Sequence, residues 1–257
     1  MNGDPAASPA LEWKALVSDD SYDIRRPRYS TVKVIVESIS TLILLVLTGP
    51  LVLVLMGLIR LTSYGPALYK QVRLGLNGRP YTIFKLRTMY HDCERLSGPQ
   101  WSLAGDPRIT PLGHILRKTH LDELPQLWNV LRGDMSLVGP RPERPEFVVE
   151  LERVIPGYGV RLQVRPGITG LAQIQLPPDE DFAGVRRKVA YDSYYVRRVG
   201  LWLDFRILLG TCLKILGVSF DTIRRSLALP ESDVVYGETT PREYVDGAAP
   251  SLLTASS

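Results

Sequence analysis

Only two cysteines, Cys93 and Cys212, occur among the 257 residues, and they stand at no ligand spacing such as C-x-x-C. A disulfide framework and a structural zinc site are excluded, and a reducing, cytosol-facing location is expected. Histidine is almost as scarce. His91, His114 and His120 form no H-x-x-x-H pair, so each reads as an ordinary surface or packing residue. A secretory leader is not expected either, because about thirty polar or mixed residues precede the first apolar run. Acidic residues are outnumbered: the net charge of +4 favours anionic partners without choosing among nucleic acid, nucleotides, lipid headgroups and phosphorylated substrates. The chain is long enough for one core of good size and needs no second one.

What is present begins with "SISTLILLVLTGPLVLVLMGLI", residues 38–59, which carries no charge. A straight helix of that length reaches about 33 Å, enough for a hydrocarbon core of about 30 Å. Two features oppose a simple span. Pro50 removes the hydrogen bond to the Val46 carbonyl and clashes with that turn, Gly49 adds freedom to bend, and Thr48 is placed to satisfy a freed carbonyl. Basic residues also flank both ends, with Arg25, Arg26, Arg28 and Lys33 before the run and Arg60, Lys70, Arg73 and Arg79 after it. Both flanks therefore favour the cytoplasmic side. The reading is a re-entrant helix-break-helix over 29–62, broken at Gly49-Pro50, with arms of about 17 Å that each reach about one leaflet deep.

The expected fold is mostly α with minor β: a monotopic membrane protein with a domain on the cytoplasmic side and interfacial amphipathic helices. Residues 1–28 and 221–257 read as flexible tails, 63–176 as the central domain, which the resemblance given below makes the catalytic core, and 177–220 as a C-terminal extension. Asn77-Gly78 lies between β-prone pieces and predicts a short hairpin. Residues 106–119 read as a turn and a short helix. The stretch 199–218 reads as an amphipathic helix, either interfacial with Trp202 at headgroup level or facing the core. "VGPRPERPEF" and "VRPGITG" read as loops.

"LDELPQLWNVLRG", residues 121–133, predicts a second helix, with Asp122 as cap, Glu123 and Pro125 in the first turn and Gly133 as the stop. Acids in a first turn need no function beyond the helix dipole. Their neighbours shift that reading, because Lys85, Arg87, Arg117, Lys118 and Arg141 lie in the flanking segments, and Arg141 is held between Pro140 and Pro142. A carboxylate approaching a diphosphate meets about 4 kcal/mol of repulsion per charge pair at 4 Å. Guanidinium groups and a divalent metal offset it, magnesium sharing one or two carboxylates with substrate phosphates. The pattern permits Asp122 as an aspartyl-phosphate nucleophile and Glu123 as metal partner or base.

The motifs "KLRTM" (85–89), "DPRITPLGHILRKTHLDELPQLWNVLRGDMSLVGPRP" (106–142) and "RPGITGLAQ" (165–173) closely resemble the bacterial sugar transferase family, the monotopic phosphoglycosyl transferases, over about residues 30–217. The resemblance implies an enzyme on the cytoplasmic face of the bacterial cytoplasmic membrane. Such an enzyme moves a sugar 1-phosphate from a UDP-sugar to undecaprenyl phosphate, releases UMP, and starts an exopolysaccharide, O-antigen or related glycan. It implies Mg2+ as cofactor, Asp122 as nucleophile of a ping-pong cycle with Glu123 beside it, both as metal ligands, and Lys85, Arg117 and Arg141 as phosphate-contacting cations. It gives nucleic acid no role, names inner-leaflet lipids as partners and leaves a homodimer open. The segment after Gly170 is similar to exopolysaccharide-initiating members, which points to a hexose 1-phosphate donor such as UDP-glucose or UDP-galactose. Two rival readings remain. One is a glycosyltransferase holding its metal through Asp179-Glu180-Asp181 and releasing UDP. The other is a non-catalytic basic adaptor held on anionic lipid by Arg25, Arg26 and Arg28.

Overall fold

The computed structural model describes residues 31–93, 105–155, 157–177 and 182–239. The acidic stretch 179–181 and the basic residues at 25–28 lie outside them, as do residues 1–28 and the chain beyond 239.

The apolar run forms one long helix, α1 (Thr31–Thr62), with Pro50 inside it. The expected break does not interrupt the helix: helical geometry continues through Gly49 and Pro50, as it can when a proline bends a helix without ending it. The Thr48 hydroxyl donates to the Leu44 carbonyl at 2.7 Å, one turn back, and not to the carbonyl of Val46 that the proline leaves free. The middle of α1 is bare, with Leu47 71% and Leu53 70% exposed. Both ends are docked. Near the start, Lys33, Glu37 and Thr41 recur every fourth residue on one buried face; near the end, Leu55 and Ile59 are buried.

The predicted hairpin is present. Strands β1 (Leu68–Leu74) and β2 (Pro80–Leu86) pair antiparallel, Leu68 opposite Leu86 and Leu74 opposite Pro80. Asn77 (φ 54°) and Gly78 (φ 67°) supply the left-handed turn that residue types of this kind accept. Next come α2 (Pro111–Lys118) and α3 (Gln126–Leu131). Thr110 caps α2, its hydroxyl oxygen accepting from the Gly113 N–H at 2.9 Å.

Of the two segments expected to be loops, "VRPGITG" contains a strand, and its partner ends at Val138, where "VGPRPERPEF" begins. β3 (Ser136–Val138) and β4 (Gly167–Thr169) pair in parallel, Ser136 beside Gly167 and Val138 beside Thr169. The backbones beyond them nearly touch: a Cβ on Gly167 would stand 2.1 Å from the Gly139 nitrogen. Only glycine permits that approach. Gly139 N–H donates to the Thr169 carbonyl and Gly167 N–H to the Pro140 carbonyl, each at 2.9 Å, so "RPGITG" clamps the base of the loop that carries Arg141.

The remaining helices are α4 (Pro145–Val154), α5 (Leu171–Gln175), α6 (Phe182–Arg198), α7 (Leu201–Ile215), α8 (Phe220–Ser226) and α9 (Ser232–Thr239). Helices α8 and α9 correct the expected tail over 221–239: Ile223 and Val235 are fully buried in the main core, alongside Tyr191, Tyr195 and Ile207. A tail rich in small and polar residues hid them, because one apolar anchor per short helix leaves no periodicity to read. Helix α7 combines the two alternatives left open for it. Asp204, Ile207 and Gly210 face the core, while Leu201, Trp202, Phe205 and Ile215 are exposed, with Trp202 and Phe205 stacked at 5.8 Å.

The first end of α1 is held by charge. Lys33 pairs with Asp204 of α7 and lies 3.2 Å from Glu37, whose carboxylate accepts from the Ser136 hydroxyl at 2.5 Å. Tyr195 completes the network, its single O–H shared between Asp204 at 2.7 Å and the Val138 carbonyl at 3.0 Å. The other end is held by packing, Leu55 and Ile59 against Ala67, Leu86 and Leu116.

Candidate active site

Lys85 is the penultimate residue of β2, Arg117 lies at the end of α2, and Arg141 rides the clamped loop after β3. Between them the chain reverses at His120, whose φ of 55° places a non-glycine residue in the left-handed region. A short 3-10 turn, Leu121–Glu123, follows. Asp122 is therefore not a helix cap: Pro125 occupies the cap position of α3, and Asp122 sits in the preceding turn without a capping bond. Gly133 (φ 80°) does end the helix, as expected.

All five residues predicted to act in catalysis or phosphate binding, Lys85, Arg117, Asp122, Glu123 and Arg141, line one cavity of about 770 Å³. His91 and His120, read as ordinary residues, line it too. The two acids have opposite surroundings. Glu123 is buried, and its Oε1 accepts from Lys85 Nζ at 2.8 Å and from Arg141 Nη2 at 2.7 Å. Burial alone would raise its carboxyl, but Arg141 and Lys85 outweigh burial and hold it well below the usual carboxylate range. Asp122 is 8% exposed and makes no hydrogen bond or ion pair among the described residues. Burial, and then the charge of Glu123, push its carboxyl above the ordinary value despite the opposing cations. One acid is thus bonded and electrostatically spent; its neighbour is free, desolvated and more basic.

The cations are supported from behind. Arg117 donates from Nε to the Thr88 hydroxyl at 2.9 Å. Arg161 was not singled out in the sequence, yet it donates from Nη2 to the Arg141 carbonyl at 3.0 Å and from Nη1 to the Tyr158 hydroxyl at 2.5 Å. Asp192 of α6 pairs with Arg161 at 2.8 Å and is 2% exposed. An acid as the one charge within the run "AYDSYYV" was the available signal, since a buried charge needs a partner. Asp192→Asn removes one half of this buried pair. The expected cost is about 3 kcal/mol, or roughly 10 °C in Tm by thermal unfolding. An unchanged Tm would show that Tyr158 and the Arg141 carbonyl hold Arg161 without Asp192.

This arrangement, a free carboxylate beside a paired one under three cations, suits attack on a phosphorus centre. Among the described residues no group of three or more His, Cys, Asp and Glu side chains could hold a metal unaided.

Comparison with known proteins agrees with the geometry. Residues 28–218 match the family described as bacterial sugar transferase. A UDP-N-acetylgalactosamine-undecaprenyl-phosphate N-acetylgalactosaminephosphotransferase of Aeromonas hydrophila is 42% identical over 190 residues, covering 74% of this chain and 45% of that protein. A UDP-glucose:undecaprenyl-phosphate glucose-1-phosphate transferase of Caulobacter vibrioides is 45% identical over 183 residues, 70% of this chain and 67% of that one. The exopolysaccharide production protein PSS of Rhizobium leguminosarum is 42% identical over 177 residues, 67% of this chain and 88% of its own length. The matched part of the chain thus spans less than half of the Aeromonas protein and about two thirds of the Caulobacter protein. With the family matched over most of its length, the chain belongs to the bacterial sugar transferases.

Proposed function

We propose that the protein transfers a sugar 1-phosphate from a UDP-sugar to undecaprenyl phosphate and releases UMP, as the first membrane step of exopolysaccharide, O-antigen or related glycan synthesis. The observation that carries this reading is the unpaired, buried Asp122 carboxylate beside Glu123 in a cavity walled by Lys85, Arg117 and Arg141. An Asp122 oxygen attacks the phosphorus bearing the sugar, and the bond from that phosphorus to the bridging oxygen breaks. UMP leaves with the electron pair, and the sugar phosphate remains on Asp122. An oxygen of undecaprenyl phosphate then attacks the same phosphorus, and the Asp122 carboxylate departs unchanged. Neither step consumes a proton, so Glu123 serves by keeping Lys85 and Arg141 aimed at the phosphates.

The residues fit a magnesium ion held jointly with substrate. Asp122 has a free carboxylate on the cavity, Glu123 lies beside it, and magnesium asks for only one or two carboxylates with the substrate's phosphate oxygens. The ion would neutralise charge on the diphosphate during displacement. Purified protein given Mg2+, undecaprenyl phosphate and a panel of UDP-sugars, with hexose donors first, should release UMP. Release of UDP instead would refute phosphosugar transfer.

The same reading places the protein monotopically on the cytoplasmic face of the cytoplasmic membrane, with α1 bent at Gly49-Pro50 and re-entrant. Support comes from its two ends, which both dock on one domain: Lys33 on Asp204, and Ile59 in the cluster with Leu86 and Leu116. A helix crossing the bilayer would carry one end away from that domain. The exposed Trp202 and Phe205 supply an interfacial contact beside it. Single cysteines at Thr31 and at Leu61, with Cys93 and Cys212 replaced by serine, should both resist a membrane-impermeant thiol reagent added from the periplasm. Both should react in inverted vesicles. Labelling of one position alone from the periplasm would refute the re-entrant path.

A further inference from the structure

Arg87 has no role in the site described so far, although it lines the same cavity and is only 6% exposed. Its Nη2 donates to the Ser63 carbonyl and to the Ser63 hydroxyl, each at 2.8 Å. Its Nε and Nη1 are buried and have no hydrogen-bond partner among the described residues, and no carboxylate is paired with it there. A buried guanidinium with two N–H groups unspent is costly and asks for an anion. Its neighbour in charge is another cation, Arg60, in the last turn of α1.

Its position says where that anion comes from. Ser63 directly follows α1, and Leu61 and Tyr64 around it are 84% and 91% exposed. Gly65 has φ 107°, and a Cβ there would stand 2.3 Å from Arg87 Nη1 and 2.5 Å from the His91 ring. The loop is therefore shaped to bring guanidinium and imidazole together at the end of the membrane helix. Lys85, bonded to Glu123, lines the same cavity two residues back along the chain, about 7 Å away by strand geometry and farther from the end of α1. A nucleotide donor can enter from water, whereas a phosphate tied to a long isoprenoid tail must enter from the bilayer.

We infer that Arg87, with Arg60 beside it, forms the acceptor subsite: it takes the phosphomonoester of the polyprenyl phosphate at the membrane end of the cavity, while Lys85, Arg117 and Arg141 serve the donor. The assignment rests on the transfer reaction proposed above, and it separates the two half-reactions by residue. Full-length protein in micelles with Mg2+ and a productive UDP-sugar gives a UMP burst without acceptor and a KM for undecaprenyl phosphate with it. In Arg87→Gln the burst amplitude should persist and the acceptor KM should rise at least tenfold, with Arg87→Lys in between. A normal burst with unchanged acceptor KM in either variant, or a burst lost in both while circular dichroism stays native, overturns the subsite. A binding arm needs no turnover: decyl phosphate should raise the Tm of the wild type, while decanol and phosphatidylglycerol should not, and Arg87→Gln should abolish the shift. An equal shift with phosphatidylglycerol would make Arg87 a general anionic-lipid contact and overturn the assignment. Absence of UMP from the wild type, with the decyl phosphate shift intact, would instead refute the proposed reaction and leave the phosphate subsite standing.

Discussion

Asp122→Asn should eliminate sugar-phosphate transfer and make the protein more stable. Removing a nucleophile that forms a covalent intermediate costs a factor on the order of 10⁴ or more in turnover. The stability gain follows from the unpaired state of Asp122. Its folded-state pKa is raised, first by burial and then by Glu123, so the fold favours the protonated form. Its contribution is therefore best below the unfolded pKa and is lost as pH rises through the folded value. Asparagine, which cannot ionise, keeps the shape without that loss, and the expected gain at pH 7 is about 1 kcal/mol, or roughly 3 °C in Tm. The same sign sets the activity profile: in the wild type the donor half-reaction should rise with pH through the Asp122 titration. An Asn variant of lower Tm than the wild type would mean that Asp122 is held by partners and is not the strained member of the pair.

Glu123→Gln should do the reverse to stability while also harming activity. Glu123 lies between Lys85 at 2.8 Å and Arg141 at 2.7 Å, and the glutamine deprives both cations of the carboxylate they are bonded to. Breaking a buried pair costs about 3–5 kcal/mol, and the half-exposed Arg141 side chain brings the expectation to about 3 kcal/mol. Burial acts against ionisation here, but Arg141 and Lys85 prevail and depress the folded pKa. Its stabilisation is therefore present above the unfolded carboxylate pKa and is lost as pH falls through the folded one. The variant should show a flatter acid limb in a Tm-against-pH series than the wild type. Turnover should fall by about 10²–10³, the usual loss when groups aimed at a developing phosphate charge lose their position. A Tm unchanged at pH 7 would refute the division between a structural Glu123 and a chemical Asp122.

Much of this was legible in the sequence because the signals were local or categorical. Asn77-Gly78 dictates a hairpin turn by backbone freedom alone, and an uncharged run of this length can only be a membrane-facing or core helix. The five cavity residues were legible through their chemical company, an acidic pair among cations, and through the family motifs. What escaped was set by distant partners. The parallel β3–β4 pair depends on Gly139 and Gly167 approaching across 28 positions, so neither strand carries an alternating pattern of its own. Asp122 looked like a helix cap because a cap and a free acid before a short helix have the same residue pattern; His120 in the left-handed region shifts the turn. The acids that hold charged residues inside, Asp192 and Asp204, carry no motif, and their partners Arg161 and Lys33 lie 31 and 171 positions away.

The last of these separations has a consequence for how the protein is made. Lys33 and Glu37 leave the ribosome early, but Asp204 follows 171 residues later. At about 5–20 residues per second that interval is roughly 10–35 s. Throughout it the apolar helix must already be shielded from water while Lys33 has Glu37, one turn on, but not yet Asp204. On the membrane placement proposed above, the nascent chain would wait at the lipid surface with Lys33 in the headgroup layer until α7 arrives and Asp204 draws that lysine inward. Truncation before Leu201 should leave a chain that reaches the membrane yet never completes this step.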